Sequence, residues 1–79
     1  MTINKELYDK ICKTLEAILI IEKTDRIQMF DCYDIVGDEK ECLFSEQGVE
    51  ILYCHWYSYV EVVGLSSVDY KKIFERYGE

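Results

Sequence analysis

Residues 49–65 read VEILYCHWYSYVEVVGL, and how this stretch is divided decides the fold. VEILYC (49–54) and YVEVV (59–63) are rich in β-branched and aromatic residues, the types that suit a pleated, half-buried surface. Only His55-Trp56-Tyr57-Ser58 separates them, so the economical reading is an antiparallel hairpin with these four residues as its turn. The turn has neither Asn-Gly nor any glycine, which is unusual for a tight hairpin and leaves open a four- or five-residue loop that displays aromatic rings. Such rings either pack over the end of a small sheet or serve as anchors for a partner.

Downstream, LSSVDYKKIFERYG (65–78) has the marks of a helix: Ser66 as N-cap, Asp69 at the third helical position, Leu65 placed to staple onto Tyr70, and Gly78 as the stop. Val68, Tyr70, Ile73, Phe74 and Tyr77 make its apolar face. Upstream, TINKELYDKICKTLEAILIIE (2–22) repeats apolar residues at Ile3, Leu7, Ile11, Leu15, Ile18 and Leu19, one stripe of a helix capped by Thr2 or Asn4. From Arg26 the period becomes two, which predicts a strand of about ten residues with apolar side chains on both parities. GDEKE (37–41) breaks this pattern, and CLFSEQG (42–48) reads as a short strand or a loop ending at Gly48. The expectation is one α+β domain over residues 1–79: an antiparallel three- or four-stranded sheet flanked by an N-terminal and a C-terminal helix, in the order α-β-β-(β)-α. Both helices should cover the same face of the sheet and leave the other open.

Seventy-nine residues build one core, and 49% hydrophobic residues place the chain outside the disordered class. No apolar run reaches the roughly 20 residues of a membrane span, and the charged start MTINKELYDK does not resemble a signal peptide, so a cytoplasmic protein with no membrane partner is expected. Cys12, Cys32, Cys42 and Cys54 fall in helix- or strand-like apolar contexts and read as reduced structural thiols. A zinc site from Cys32, Cys42, Cys54 and His55 would lack paired CxxC spacing, and adjacent Cys54 and His55 would point to opposite faces of a strand. Asp31 and Asp34, three apart along a strand, are likewise poorly placed to share a cation. The single histidine has no nucleophile elbow, no cysteine at a helix N-terminus and no phosphate loop for company. No cofactor and no catalytic activity is expected.

The charge is segregated. Sixteen acids face nine Lys and Arg, a net charge of −7. Residues 1–30 and 62–79 are each balanced, whereas 31–61 hold eight acids, Asp31, Asp34, Asp38, Glu39, Glu41, Glu46, Glu50 and Glu61, and the single base Lys40. A field so directed steers association toward a basic surface and repels nucleic acid. The alternative role of these acids is to keep a small domain in solution. Trp56, Tyr57 and Tyr59 lie in the same block, and with the eight acids they form the expected partner-binding surface. An interaction or dimerisation module that hides its aromatic face in a homodimer is the alternative.

In YVEVVGLSSVDYKKIFERYG (59–78) a strand runs straight into a serine-capped terminal helix. With the short acidic chain, this resembles small phage and prophage proteins of low-GC Gram-positive bacteria, among which anti-CRISPR proteins are found. The resemblance implies a non-enzymatic inhibitor of a host defence protein, such as a CRISPR nuclease whose basic nucleic-acid channel attracts a compact acidic protein. Nucleic-acid mimicry is one such mode of inhibition, and binding elsewhere on the target is another.

Overall fold

The computed structural model describes residues 3–33 and 37–79. Its elements run α1 (Lys5–Glu22), β1 (Gln28–Phe30), β2 (Glu41–Glu46), β3 (Val49–Cys54), β4 (Tyr59–Val63) and α2 (Ser67–Tyr77), and the four strands form one sheet in the order β1-β4-β3-β2. The fold is α+β, as the sequence predicts. The sheet, however, is mixed: β2, β3 and β4 are antiparallel, while β1 joins β4 in parallel with Met29 opposite Val60.

Local chemistry explains each boundary. Asn4 caps α1 by accepting the Leu7 N–H at 2.8 Å, and Lys23, in the left-handed conformation, ends it with its N–H on the Ile20 carbonyl. Ser66 caps α2 through the Asp69 N–H at 3.2 Å. The Asp69 carboxylate is buried and accepts the Ile3 N–H at 3.0 Å, tying the start of the chain to α2. Arg26 donates to the carbonyls of Glu75 and Gly78, so a cation closes the negative end of α2. The β2–β3 turn uses Gln47 and Gly48, both at positive φ, the backbone that lets a two-residue turn follow the strand twist.

One face of the sheet meets both helices. Leu7, Ile11, Leu15 and Ile18 of α1 and Ile73 and Tyr77 of α2 share a core with Met29, Phe44, Val49, Ile51, Tyr53, Val60 and Val62. Each fully buried aliphatic side chain contributes roughly 1.5–3 kcal/mol through surface removed from water. Val68, placed by its spacing on the apolar face of α2, is instead exposed at the first turn.

The other face is not open. Tyr59 and Glu61 alternate with the core-facing Val60 and Val62 and therefore point away from the helices, yet both are buried. Described residues between β1 and β2 reach across this face. Tyr33 donates its hydroxyl to Glu50, Asp38 accepts from the Tyr59 hydroxyl at 2.7 Å, and Lys40 Nζ lies 3.3 Å from Glu61. The ten-residue strand expected from Arg26 is thereby corrected: β1 ends at Phe30, because the chain leaves the sheet edge there to reach β2 on the far side. Phe30 still lies on this outer face, edge-on to the Tyr59 ring at 5.5 Å. Residues 42–48, ambiguous in sequence, supply most of β2, in which a bulge lies between Cys42 and Phe44.

Candidate acidic and aromatic surface

The β3–β4 turn has the length anticipated for it. Cys54 pairs with Tyr59, and residues 55–58 close the hairpin with Ser58 at φ 53° in place of a glycine. The turn leaves Trp56 73% and Tyr57 68% exposed. His55 is also exposed, with its ring 5.9 Å from that of Trp56 and 6.3 Å from that of Tyr53. Two recesses flank the indole. Glu39, Lys40, Glu41, Tyr53, His55 and Trp56 line one, and Gly37, Asp38, Glu39, Trp56 and Tyr57 the other. The chain returning from β1 thus delivers its carboxylates to the aromatic turn.

The residues expected to bind a partner do not form one surface. Asp38, Glu39, Glu41, Trp56 and Tyr57 come together around the turn. Asp31 is exposed after β1, near enough to α2 to help hold the Tyr70 phenol up, though burial contributes most to that shift. Glu46 is exposed at the end of β2 but engaged with Lys10 of α1 at 3.1 Å, which holds the Lys10 ammonium up. Glu50 is half-buried under the Tyr33 hydroxyl, and this bond pushes the Tyr33 phenol up. Asp34 lies outside the described residues.

Glu61 and Tyr59 require a correction. Glu61 is 0% exposed and Tyr59 4%, so neither offers its side chain to a partner in this conformation. In sequence they alternate as solvent-side residues, but the returning chain covers them and supplies Lys40 and Asp38 as polar partners. Burying a carboxylate in the middle of a sheet requires a cation beside it, and the lone base of an otherwise acidic block was the available signal. His55, absent from the expected surface, belongs to it by position. Its place in the turn was readable, but its neighbours Glu39 and Glu41 come from a different part of the chain.

Among the described residues no three His, Cys, Asp or Glu side chains converge as a metal would require. Cys54 is fully buried while His55 is exposed, so the two do not share a site. All four cysteines are free thiols: Cys12 and Cys54 are buried as expected, whereas Cys32 and Cys42 are exposed, because the chain leaves β1 before Cys32 and β2 is an edge strand. Cys42 Sγ reaches the Phe44 carbonyl at 3.3 Å beside the bulge.

A second set of polar contacts belongs to the core. Tyr53 donates to Glu22 of α1 and Tyr77 to Glu16. Burial, reinforced by the Glu22 carboxylate, pushes the Tyr53 phenol up to about 12, and burial with Glu16 raises Tyr77 further. These tyrosines are structural donors that fix α1 to the sheet and to α2. No helix among the described residues is long and apolar enough to cross a membrane. Compared with the models of known protein families, with curated proteins and with solved structures, the chain finds no match.

Proposed function

We propose that this protein is a non-enzymatic inhibitor of the phage type, acting in the cytoplasm of a bacterial host, that binds a basic nucleic-acid-handling defence protein and denies it nucleic acid. The observation that carries the reading is the association of Trp56 and Tyr57, both exposed, with Asp38, Glu39 and Glu41 at one end of the sheet. Exposed aromatic rings supply contact area at low entropic cost, and the carboxylates around them select and steer a cationic surface. An Arg or Lys of the partner can stack on the indole while it pairs with Glu39 or Glu41. The resemblance of residues 59–78 to small phage proteins adds the class of target. The alternative, self-association through the aromatic end, is disfavoured by charge, since two copies meeting there would set Asp38, Glu39 and Glu41 against their own counterparts.

Affinity capture from a bacterial lysate, followed by competition between this protein and nucleic acid for the captured target, tests the proposal. Reversing Glu39 and Glu41 together to Lys, or truncating Trp56 to Ala, should abolish capture, and Glu75→Lys on α2 should leave it intact. Simultaneous binding of inhibitor and nucleic acid would exclude mimicry. Equal loss in the Glu75 variant would reduce the acidic surface to a solubilising role.

A further inference from the structure

Helix α1 is apolar on two sides. Leu7, Ile11, Cys12, Leu15, Ile18 and Leu19 are buried against the sheet and α2, as an amphipathic helix requires. On the opposite side of its second half, Ala17, Ile20 and Ile21 recur at helical spacing and are exposed, Ile20 by 77% and Ile21 by 60%. A helix that only covers one face of a sheet has no need of this second stripe.

We propose that a second copy of this chain packs antiparallel against that stripe, about a twofold axis near its centre. Ala17 of each copy then enters the space between Ile20 and Ile21 of the other. The small side chain at this crossing permits close approach of the two helix axes. A twofold interface repeats each contact, so its charges must complement their own pattern. They do: Lys13 lies one turn before Ala17, and Asp25 lies just beyond the end of α1, both exposed. The antiparallel register sets Lys13 of each copy facing Asp25 of the other, giving two reciprocal ion pairs.

Charge also selects this face over others. Residues 1–30 are neutral, with five acids and five bases, while 31–61 carry the whole net charge. Self-association through α1 leaves the acidic and aromatic ends of both copies free, whereas association through those ends opposes like charges. The inference does not depend on the proposed target, because it rests on a different element and is read in the absence of any partner.

Sedimentation of the purified protein from about 10 µM to about 1 mM provides the test, since self-association follows mass action. A dimer is expected to fill with concentration. Joint replacement of Ile20 and Ile21 by Glu should weaken it at least about tenfold, with circular dichroism unchanged because both side chains are exposed. Lys13→Asp and Asp25→Lys should each weaken the dimer, and the two combined should restore it. A monomer throughout the range, a dimer indifferent to the isoleucine replacements, or no restoration in the double charge reversal would each overturn the proposal.

Discussion

Lys40 Nζ stands 3.3 Å from Glu61 Oε1 in the middle of the sheet, with the Lys40 side chain 15% and the Glu61 side chain 0% exposed. The only base of residues 31–61 is thus spent inside the fold, and the surface of this block is more acidic for it. The pair also joins the chain that returns from β1 to the central strand β4.

Lys40→Met should therefore destabilise the protein by about 3–5 kcal/mol, because it removes the cation that stands 3.3 Å from a buried carboxylate. Adding Glu61→Leu should recover most of this loss, since an apolar pair can replace a buried ion pair at little cost. Urea denaturation of the two variants checks both statements. Glu61→Lys should also destabilise the fold, because it sets a second buried cation against Lys40, and it is therefore a poor probe of partner binding.

Gly64→Ala should cost at least about 2 kcal/mol in the same assay. Gly64 has φ +99°, and a Cβ there would stand 2.0 Å from the Gly48 carbonyl oxygen, where the chain leaving β4 passes the β2–β3 turn. Among the described residues Gly37→Ala meets no neighbouring atom, so the penalty expected there comes from the positive φ of 117° and should be smaller.

Alkaline pH should unfold the protein through its buried phenols. The Tyr53 phenol is raised to about 12 from an ordinary value near 10, so below pH 10 it is neutral in both folded and unfolded chains. Between pH 10 and 12 the unfolded chain releases the proton first, and stability falls as pH rises. Tyr77, raised as well, acts in the same direction. Absorbance at about 295 nm should show these phenols titrating after the others, and the urea midpoint should decline over this window less steeply in Tyr53→Phe.

Trp56 is the only tryptophan, and it is exposed beside Glu39 and Glu41, so its fluorescence reports on the proposed surface. Iodide should quench it less effectively than neutral acrylamide, and added salt or Glu39→Gln with Glu41→Gln should narrow the difference. Trp56→Ala should change stability by no more than about 0.5 kcal/mol. Equal quenching by both agents would show that the carboxylates do not dominate the field at the indole.

Both helices and the β3–β4 hairpin were legible because their signals are local: a 3.6-residue stripe through Leu7, Ile11, Leu15 and Ile18, the Ser66 cap, and two β-rich runs four residues apart. The turn at residues 55–58 followed from the same spacing, but the exposure of its rings was only one of two readings that spacing left open. What could not be read was non-local. The parallel pairing of Met29 with Val60 needs a return crossing that periodicity does not encode, and the burial of Glu61 and Tyr59 is decided by that crossing. Counting charge by segment located the acidic region, but only the three-dimensional path separates Glu39 and Glu41, beside the aromatic turn, from Glu61, inside the sheet.

The sheet order also dictates a sequence of events in folding. β2, β3 and β4 are joined by tight turns and pair with their immediate neighbours, whereas β1 must find β4 across the whole of that meander. Loop-closure entropy delays contacts between distant segments, so the meander with the helical stripe over it forms the nucleus, and β1 docks after it. Truncating Ile51 or Val62 should then slow refolding, while truncating Met29 should chiefly hasten unfolding. Tyr33, Asp38 and Lys40, which reach the outer face of the sheet, should then engage Glu50, Tyr59 and Glu61 only after β1 has docked.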